Sequence, residues 1–203
     1  MKKFLKGIIS LLAFFVILQV EAANQFVNFS KSDILLVNGD AASIYVDSRD
    51  LKGVGIAADN LCEDFLRVTG IKGVKTGNAS EARIVVGTIG HSVAIDEMVK
   101  RGVINKKELQ GKLEKYIITT SDNQLFIAGS DRRGTIYGIY ELSRQMGVSP
   151  WYWWADAPVM HHDAVYATRG TYTDGEPQVR YRGIFFNEIH RSEERRVGKE
   201  CRS

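Results

Sequence analysis

The sequence predicts an α/β fold in which helices pack on a small layered sheet. Strand-like runs alternate with helical runs through most of the chain, and two of the strand-like runs are spaced as a hairpin. The 203 residues are 44% hydrophobic and 25% charged, with 3 prolines and 2 cysteines. This composition excludes collagen-like, coiled-coil, disulfide-scaffold and disordered proteins. One domain of roughly 150 residues accounts for the central part of the chain.

Residues 1 to 22 have the three-part pattern of a secretory signal peptide. Lys2, Lys3 and Lys6 form a positive region, Ile8–Val20 is an apolar run, and small residues follow at a cleavage site. The apolar run is shorter than the roughly 20 residues that span a bilayer, which favours secretion over a membrane anchor. We therefore expect a periplasmic or extracellular protein without a membrane partner after cleavage.

The thirteen residues from 191 to 203 have no apolar periodicity and are rich in charge. Read back into codons, they spell the read-through of a common sequencing adapter, so we expect a translated artefact and a native reading frame that continues. The two end segments together carry eight basic and four acidic residues, so without them the formal charge changes from +3 to −1. Basicity then no longer argues for a nucleic-acid partner.

The first secondary-structure elements follow from periodicity and turn residues. Ile34–Val37 and Ser43–Val46 are predicted strands, joined at Asn38-Gly39-Asp40 by a hairpin or a tight connection. A helix follows and runs to Thr69, where Gly70 stands in the C′ position. The candidates for its N-cap are Asp47, Ser48 and Asp50.

Cys62 lies within this helix, and Cys201 falls in the charged tail, so Cys62 is an odd cysteine in a secreted chain. A reactive thiol is one interpretation. However, apolar residues recur at helical spacing around Cys62, which favours a small buried core residue.

The remaining elements continue the alternation. Ala82–Gly87 is a predicted strand, Ser92–Arg101 a second helix, and Lys115–Thr120 with Gln124–Ala128 a hairpin. Arg132–Met146 is a third helix. The residues predicted to share its apolar side are Ile136, Ile139, Tyr140 and Met146.

Gly53-Val-Gly55-Ile-Ala-Ala58 matches the G-x-G-x-x-A pattern of dinucleotide-binding loops. Six residues separate the first glycine from the preceding strand, whereas the fingerprint requires a tight turn directly at the strand end. No acidic residue ends a second strand about 20 residues later. We therefore expect no nucleotide cofactor.

No motif in the sequence indicates a metal centre or a familiar catalytic site. His161-His162-Asp163 could begin a metal site, but adjacent side chains seldom converge on one ion and no third imidazole stands at an i+4 spacing. No G-x-S-x-G, H-E-x-x-H or P-loop sequence occurs. We predict neither a metal nor another cofactor.

An aromatic block provides the strongest local signal. Trp151, Tyr152, Trp153 and Trp154 bring all three tryptophans of the chain together with a tyrosine. Aromatic faces stack on sugar rings, so the block could bind carbohydrate. A dense aromatic segment beside a domain boundary also buries large area between two domains, and we favour this interface interpretation.

Four segments resemble the N-terminal portion of glycoside hydrolase family 115, whose members are α-glucuronidases. They are Arg132–Glu141, Met146–Val159, Gly170–Pro177 and Arg180–Asn187. The resemblance also extends to the small α/β accessory domains that precede the catalytic barrels of family 67 and family 20 glycosidases. It implies an accessory domain over residues 23 to 173.

The same resemblance implies that residues 174 to 190 begin a truncated (β/α)8 barrel. Asn187 and Glu188 then stand at the carboxyl end of the first barrel strand, where barrel enzymes bind substrate. Family members often have Asn-Asp-Glu there, whereas this chain has Asn187-Glu188-Ile189. We expect no catalytic residue in this fragment, because acids from later strands are needed.

The resemblance favours a secreted α-glucuronidase fragment, inactive by itself, whose parent releases (4-O-methyl)-glucuronic acid from xylan or a related glycan. An autonomous carbohydrate-binding module is the first alternative, suggested by the aromatic block. A structural docking domain without a ligand is the second. The partners expected from the first interpretation are a polysaccharide and the missing barrel in the same polypeptide.

Overall fold

A computed structural model describes residues 25 to 183, apart from the side chains of Trp153 and Trp154. The strands of this part of the chain are β1 (Val27–Asn28), β2 (Ile34–Asn38), β3 (Ser43–Val46), β4 (Val74–Thr76), β5 (Ile84–Thr88), β6 (Tyr116–Ser121), β7 (Gln124–Gly129), β8 (Ala164–Ala167) and β9 (Thr171–Tyr172). The helices are α1 (Lys52–Thr69), α2 (Val93–Lys100), α3 (Lys106–Leu109), α4 (Arg132–Gln145) and α5 (Tyr152–Ala155). The α/β fold class predicted from the sequence is therefore confirmed.

A six-stranded sheet in the order β4-β3-β5-β7-β6-β9 forms the centre of the domain. The first four strands of this order are mutually parallel, and β6 and β9 are antiparallel to their neighbours. The helix α1 makes the crossover from β3 to β4, as a parallel pair requires. The carboxyl ends of β3, β5 and β7 consequently meet at one edge.

A second sheet of three strands has the order β1-β8-β2 and is antiparallel. It joins distant parts of the chain, since Val27 pairs with Ala167. Phe26, Ile34 and Val165 of this region belong to the same buried cluster as α1 and α4. The larger core therefore lies between the small sheet, these two helices and one face of the central sheet.

Alternate residues of the central strands enter two different cores, as the pleat requires. Ile84 of β5 and Ile127 of β7 belong to the larger core on the side of α1 and α4. Val85 and Phe126 belong to a smaller core that includes Ile95 of α2. The sheet is thus covered on both faces.

The structure decides between the two connections predicted at Asn38-Gly39-Asp40. β2 and β3 do not form a hairpin, because β2 pairs with β8 in the small sheet and β3 pairs with β4 and β5 in the central one. The turn at Gly39, where φ is 76°, is instead a tight connection between sheets. The competing pairing is nonlocal, so it left no local trace in the sequence.

None of the predicted N-cap residues caps α1, which begins after Leu51 without a side-chain capping bond. Asp47 and Asp50 instead accept hydrogen bonds from backbone groups elsewhere, described below. Gly70 is confirmed as the left-handed residue at the end of α1, with φ of 74° and an N–H bonded to Leu66. The prediction that Tyr140 lies on the buried side of α4 is wrong, because its side chain is exposed and accepts a hydrogen bond from Asn60.

Two further predictions are confirmed. β6 and β7 form the expected hairpin, with Asp122 and Asn123 in the left-handed conformation at its turn. Cys62 is a buried free cysteine within the larger core.

Gly53 and Gly55 lie inside α1, so they form no loop that could approach a pyrophosphate.

Candidate functional site

A cleft of about 480 Å³ lies between α4, the start of β6 and the segment from residue 174 to 182. Three tyrosines line it, Tyr116 from β6 and Tyr137 and Tyr140 from α4. Glu114 and Asp174 are two of the acidic residues in its wall. Aromatic rings beside charged groups are the chemistry of a recognition surface for sugars or for another protein domain.

The carboxylates of this cleft are already engaged by the protein itself. Glu114 has a buried side chain and forms ion pairs with Arg133, at 2.8 Å, and with Arg182. Asp174 accepts a hydrogen bond of 2.5 Å from the hydroxyl of Tyr116. The third acid, Glu141, accepts bonds from Arg144 and Gln145. Glycoside hydrolysis requires one carboxyl group as an acid and another as a base or nucleophile, and these pairings oppose both roles.

Tyr116 is tuned to remain a neutral hydrogen-bond donor. Burial raises the pKa of its phenol well above the ordinary value of 10.0, and the hydrogen bond to the Asp174 carboxylate raises it further. The phenol therefore stays protonated throughout the physiological range. It fixes Asp174 at the point where the chain leaves the central sheet.

The backbone near Glu114 is shaped for close contact with α4. Glu114 adopts a left-handed conformation with φ of 53°, which is strained for a residue with a side chain. The next carbonyl, of Lys115, lies so close to Gly134 that a Cβ at that position would collide with it. Glycine is therefore required in the first turn of α4, where Asp131 caps the helix by accepting from the Gly134 N–H at 2.8 Å.

The aromatic block lies at the end of α4 and in the short helix α5. Trp151 is 64% exposed, and its backbone N–H donates to the hydroxyl of Ser149. The ring of Tyr152 instead packs within the domain, with the guanidinium of Arg67 4.9 Å from its centroid. Trp153 and Trp154 belong to α5, and their side chains lie outside the described part of the structure. The interface role predicted for these four residues stays a prediction.

The carboxyl edge of the parallel strands is a second place where ligands bind in α/β folds. Here two of the protein's own carboxylates bind backbone N–H groups of neighbouring elements. Asp47, which follows β3, accepts from the backbone N–H of Val93 at the start of α2, and Asp50 accepts from the N–H of Thr88 at the end of β5. Burial opposes ionisation of Asp47, but the backbone N–H groups of Arg49 and Val93 together with the hydrogen-bonded guanidinium of Arg49 outweigh it and lower its pKa.

The two predicted histidines are not among the residues that line the cleft. Asn187 and Glu188 lie outside the described residues. His161 approaches Asp163 at 3.4 Å, and the ring of His162 stacks on Phe29. Within residues 25 to 183, no group of three or more histidine, cysteine, aspartate or glutamate side chains is arranged to hold a metal ion. The helices of this same region include none with the length and apolar character needed to cross a membrane.

Sequence reasoning missed the residues that form the ion pair of the cleft. Glu114, Tyr116 and Arg182 become neighbours only through the fold, since Glu114 and Arg182 are 68 positions apart. A single charged residue before a strand is a common feature of exposed strand ends. The one available hint was Arg180–Asn187, whose family resemblance marked the region without indicating a partner.

Comparison with known structures shows similarity to a family GH115 4-O-methyl-α-glucuronidase with specificity for decorated arabinogalactans, at 32% sequence identity and a TM-score of 0.66. The match covers 76% of this chain and 20% of that chain. A Streptomyces plicatus N-acetyl-β-hexosaminidase is similar at 17% identity and a TM-score of 0.49, covering 85% of this chain and 31% of that one. No protein-family model and no curated protein matches the sequence.

The fold and the first of these matches place the chain among proteins related to glycoside hydrolases. The related family is glycoside hydrolase family 115, the α-glucuronidases, which confirms the relationship expected from the four sequence segments. The chain spans about a fifth of the length of the glucuronidase that it matches, since it covers 20% of it.

Proposed function

We propose that the chain is the N-terminal accessory domain of a secreted family 115 α-glucuronidase. Residues 23 to 173 form this domain, and residues 174 to 190 begin a catalytic (β/α)8 barrel in the same polypeptide. The observation that carries the proposal is the 32% identity over 76% of this chain to a glucuronidase of which it covers 20%. The missing four fifths of such an enzyme would supply the chemistry.

The chain alone is expected to be catalytically inactive. Barrel enzymes place their reacting groups at the carboxyl ends of several strands, and this chain contains at most the first of them. The acids of its cleft are held in ion pairs and hydrogen bonds. Asn187 and Glu188 contribute to substrate binding in this proposal, once the rest of the barrel surrounds them.

The proposed substrate of the whole enzyme is a polysaccharide that carries (4-O-methyl)-glucuronic acid. Xylan is one such glycan, and the related glucuronidase is described by its specificity for decorated arabinogalactans. Either substrate is consistent with export to the periplasm or the extracellular space through a signal peptide at residues 1 to 22. We propose no cofactor and no nucleic-acid partner.

A carbohydrate-binding module is the alternative, and one observation favours it. Trp151 is 64% exposed and could stack on a sugar ring. Titration of the chain with glucuronoxylan oligosaccharides while tryptophan fluorescence is followed distinguishes the two. We expect no saturable binding, whereas micromolar binding that Trp151→Ala abolishes would favour the module.

Recovery of the native gene tests the main proposal. Amplification from source DNA across codon 190 should yield a reading frame that continues for several hundred codons and lacks the codons for residues 191 to 203. The full product should release glucuronic acid from glucuronoxylan or from decorated arabinogalactan, while the purified 203-residue chain should release none. A native stop codon soon after codon 190, or activity in the short chain, would refute the proposal.

A further inference from the structure

We infer that one outward surface of the domain docks the catalytic barrel and that an ion pair between Glu114 and Arg182 fixes the direction in which the chain enters it. The docking face is defined as Ile56 of α1, Tyr137 and Tyr140 of α4, and Trp151. The exit segment is defined as residues 174 to 183. The inference rests on the proposed function, because it takes the polypeptide after Gly183 to be the barrel.

The docking face exposes large apolar side chains that an independent domain would usually bury. Its four residues are between 38% and 64% exposed. Ile56, Tyr137 and Tyr140 share one surface, because the side chain of Asn60, one turn after Ile56, donates to the Tyr140 hydroxyl at 2.8 Å and Tyr137 lies one turn earlier on α4. Trp151 adjoins it, since the preceding Pro150 lines the same cleft as the two tyrosines. Clustered exposed apolar residues mark a surface that meets another partner.

Glu114 is held in place before it meets the exit segment. Its side chain is 3% exposed, its backbone N–H donates to Asp131 at 2.9 Å, and Arg133 of α4 contacts one of its carboxylate oxygens. A buried carboxylate requires compensating partners. Arg182 contacts the second oxygen, so the exit segment completes the set.

Arg182 also ties the exit segment to the docking face, because its guanidinium lies 5.6 Å from the centroid of the Tyr137 ring. Two earlier points of the segment are fixed as well. Asp174 is bonded to the Tyr116 hydroxyl, and Glu176 accepts from the N–H of Leu113 at 2.8 Å. The exit segment is therefore clamped to the domain at three residues, Asp174, Glu176 and Arg182. A flexible hinge would lack such contacts.

The position at which the exit segment leaves the domain indicates that the barrel occupies the docking face. The described chain leaves the domain beside Tyr137, and the related glucuronidase has four fifths of its length outside the matched part. The proposed function places the barrel after residue 173. A domain tethered by a short, fixed segment has a high effective concentration at the adjoining surface. Glu114 is thus a positioning residue, which acts through Arg182 on the placement of the barrel.

The ion pair is tested in the 203-residue chain by chymotrypsin, which cleaves after Tyr181. Arg182→Gln should accelerate this cleavage about tenfold, because local opening of the clamped segment becomes more favourable. Glu114→Gln should do the same while leaving the cleaved sequence unchanged. Arg180→Gln is the matched control, since Arg180 stacks on Tyr181, and it should change the rate less than about twofold. Unchanged cleavage in both Arg182→Gln and Glu114→Gln would overturn the ion-pair clamp.

The docking face is tested by hydroxyl-radical footprinting of the full native product and of the 203-residue chain. Oxidation of Trp151 and Tyr140 should be at least about fivefold slower in the full product, while His91, exposed beside α2 on the other side of the sheet, should react equally in both. Equal reactivity of Trp151 would refute docking, even in a product that releases glucuronic acid. Protection in a product that releases none would refute the proposed function and leave docking standing.

Discussion

The two faces of the central sheet belong to the same strands, but the helical layers that cover them differ. On the side of α1 and α4, a large core ends in an outer surface with exposed Ile56, Tyr137 and Tyr140. On the side of α2 and α3, a smaller core ends in exposed charged residues such as Lys100 and Lys106. Charged residues are exposed on both sides, but α1 and α4 expose four large apolar or aromatic side chains, Ile56, Leu66, Tyr137 and Tyr140, whereas α2 exposes only Val93 among the described residues.

The helices also approach the sheet in different ways on the two sides. Gly129 of β7 lets the backbone of Thr135 in α4 come into direct contact with the strand. Gly87 of β5 admits the side chains of Ser92 and Ile95 from α2. On the α4 side, the strand backbone contacts helix backbone, whereas on the α2 side it contacts side chains. A larger residue at the contact glycine should therefore be tolerated less well on the α4 side.

The largest effect is therefore expected from Gly129→Ala. Its new Cβ would collide with the backbone of Thr135, and we expect a loss of at least about 3 kcal/mol in the free energy of unfolding. Gly87→Ala should cost about 1 to 3 kcal/mol, because the nearest atoms belong to the side chains of Ser92 and Ile95 rather than to backbone. The start of α2 must still shift, since rotation of the Ser92 side chain does not move its Cβ. Urea unfolding followed by circular dichroism measures both.

Gly55→Ala is the control for these two variants. No atom lies within 4 Å of a Cβ at that position, and Gly55 lies within α1, so alanine should stabilise the domain by up to about 1 kcal/mol. A larger loss in Gly87→Ala than in Gly129→Ala would contradict the distinction between the two sides.

The elements that the sequence predicted best carry their own local signals. The β6–β7 hairpin has alternating residues around Asp122 and Asn123, and α1 ends at a glycine in the left-handed region. β1 and β8 could not be found in this way. Val27 pairs with Ala167, and such short strands exist only because their partner is supplied from the other end of the domain.

The same limit applies to the candidate site. Trp151 was predictable because an aromatic block stands out by composition alone. The ion pair of Glu114 with Arg182 was not, because a carboxylate in a chain with 24 acidic residues gives no signal until its burial is known. Asp47 was one of the candidates for the N-cap of α1, yet it accepts a hydrogen bond from Val93 at the start of α2. The fold brings these two residues together although they are 46 positions apart.

The next effect concerns the cap of α4. Asp131→Ala removes the acceptor for the Gly134 N–H and also leaves the N–H of Glu114 without its carboxylate partner. We expect a loss of about 1 to 2 kcal/mol in unfolding free energy. Asp131→Asn retains one capping oxygen for the Gly134 N–H but places an amide NH2 group against the N–H of Glu114, so it should recover only part of the loss. An equal loss in both variants would contradict a capping role.

A smaller effect should appear in the free energy of unfolding at extremes of pH. It should differ between the two sides, because the pKa shifts of Asp47 and Tyr116 have opposite signs. The pKa of Asp47 is lowered, so its contribution to stability is complete above its ordinary value of 3.8 and is lost as the pH falls through the lower folded value. The pKa of Tyr116 is raised, so its contribution is complete below pH 10.0 and is lost as the pH rises above it.

Unfolding measured across a pH series tests this difference. Asp47→Asn should flatten the acid limb of the stability curve without altering the alkaline limb, and Tyr116→Phe should do the reverse. Other groups contribute to both limbs, since Asp122 and Tyr172 are also shifted, so each limb should be reduced rather than abolished. A change on the opposite limb in either variant would disprove the assignment.

The smallest effect is expected at the start of α2, where the helix takes its cap from another strand. Ser92 occupies the N-cap position but makes no capping bond, and among the described residues its buried hydroxyl has no hydrogen-bond partner. The N–H of Val93 is satisfied by Asp47 instead. Removing an unpaired buried hydroxyl relieves a desolvation cost, so Ser92→Ala should change the free energy of unfolding by less than about 0.5 kcal/mol or raise it. Beside the loss at Asp131, this result would show that α4 depends on its own N-cap residue and that α2 does not. A loss above about 1 kcal/mol in Ser92→Ala would instead indicate an ordinary cap on both helices.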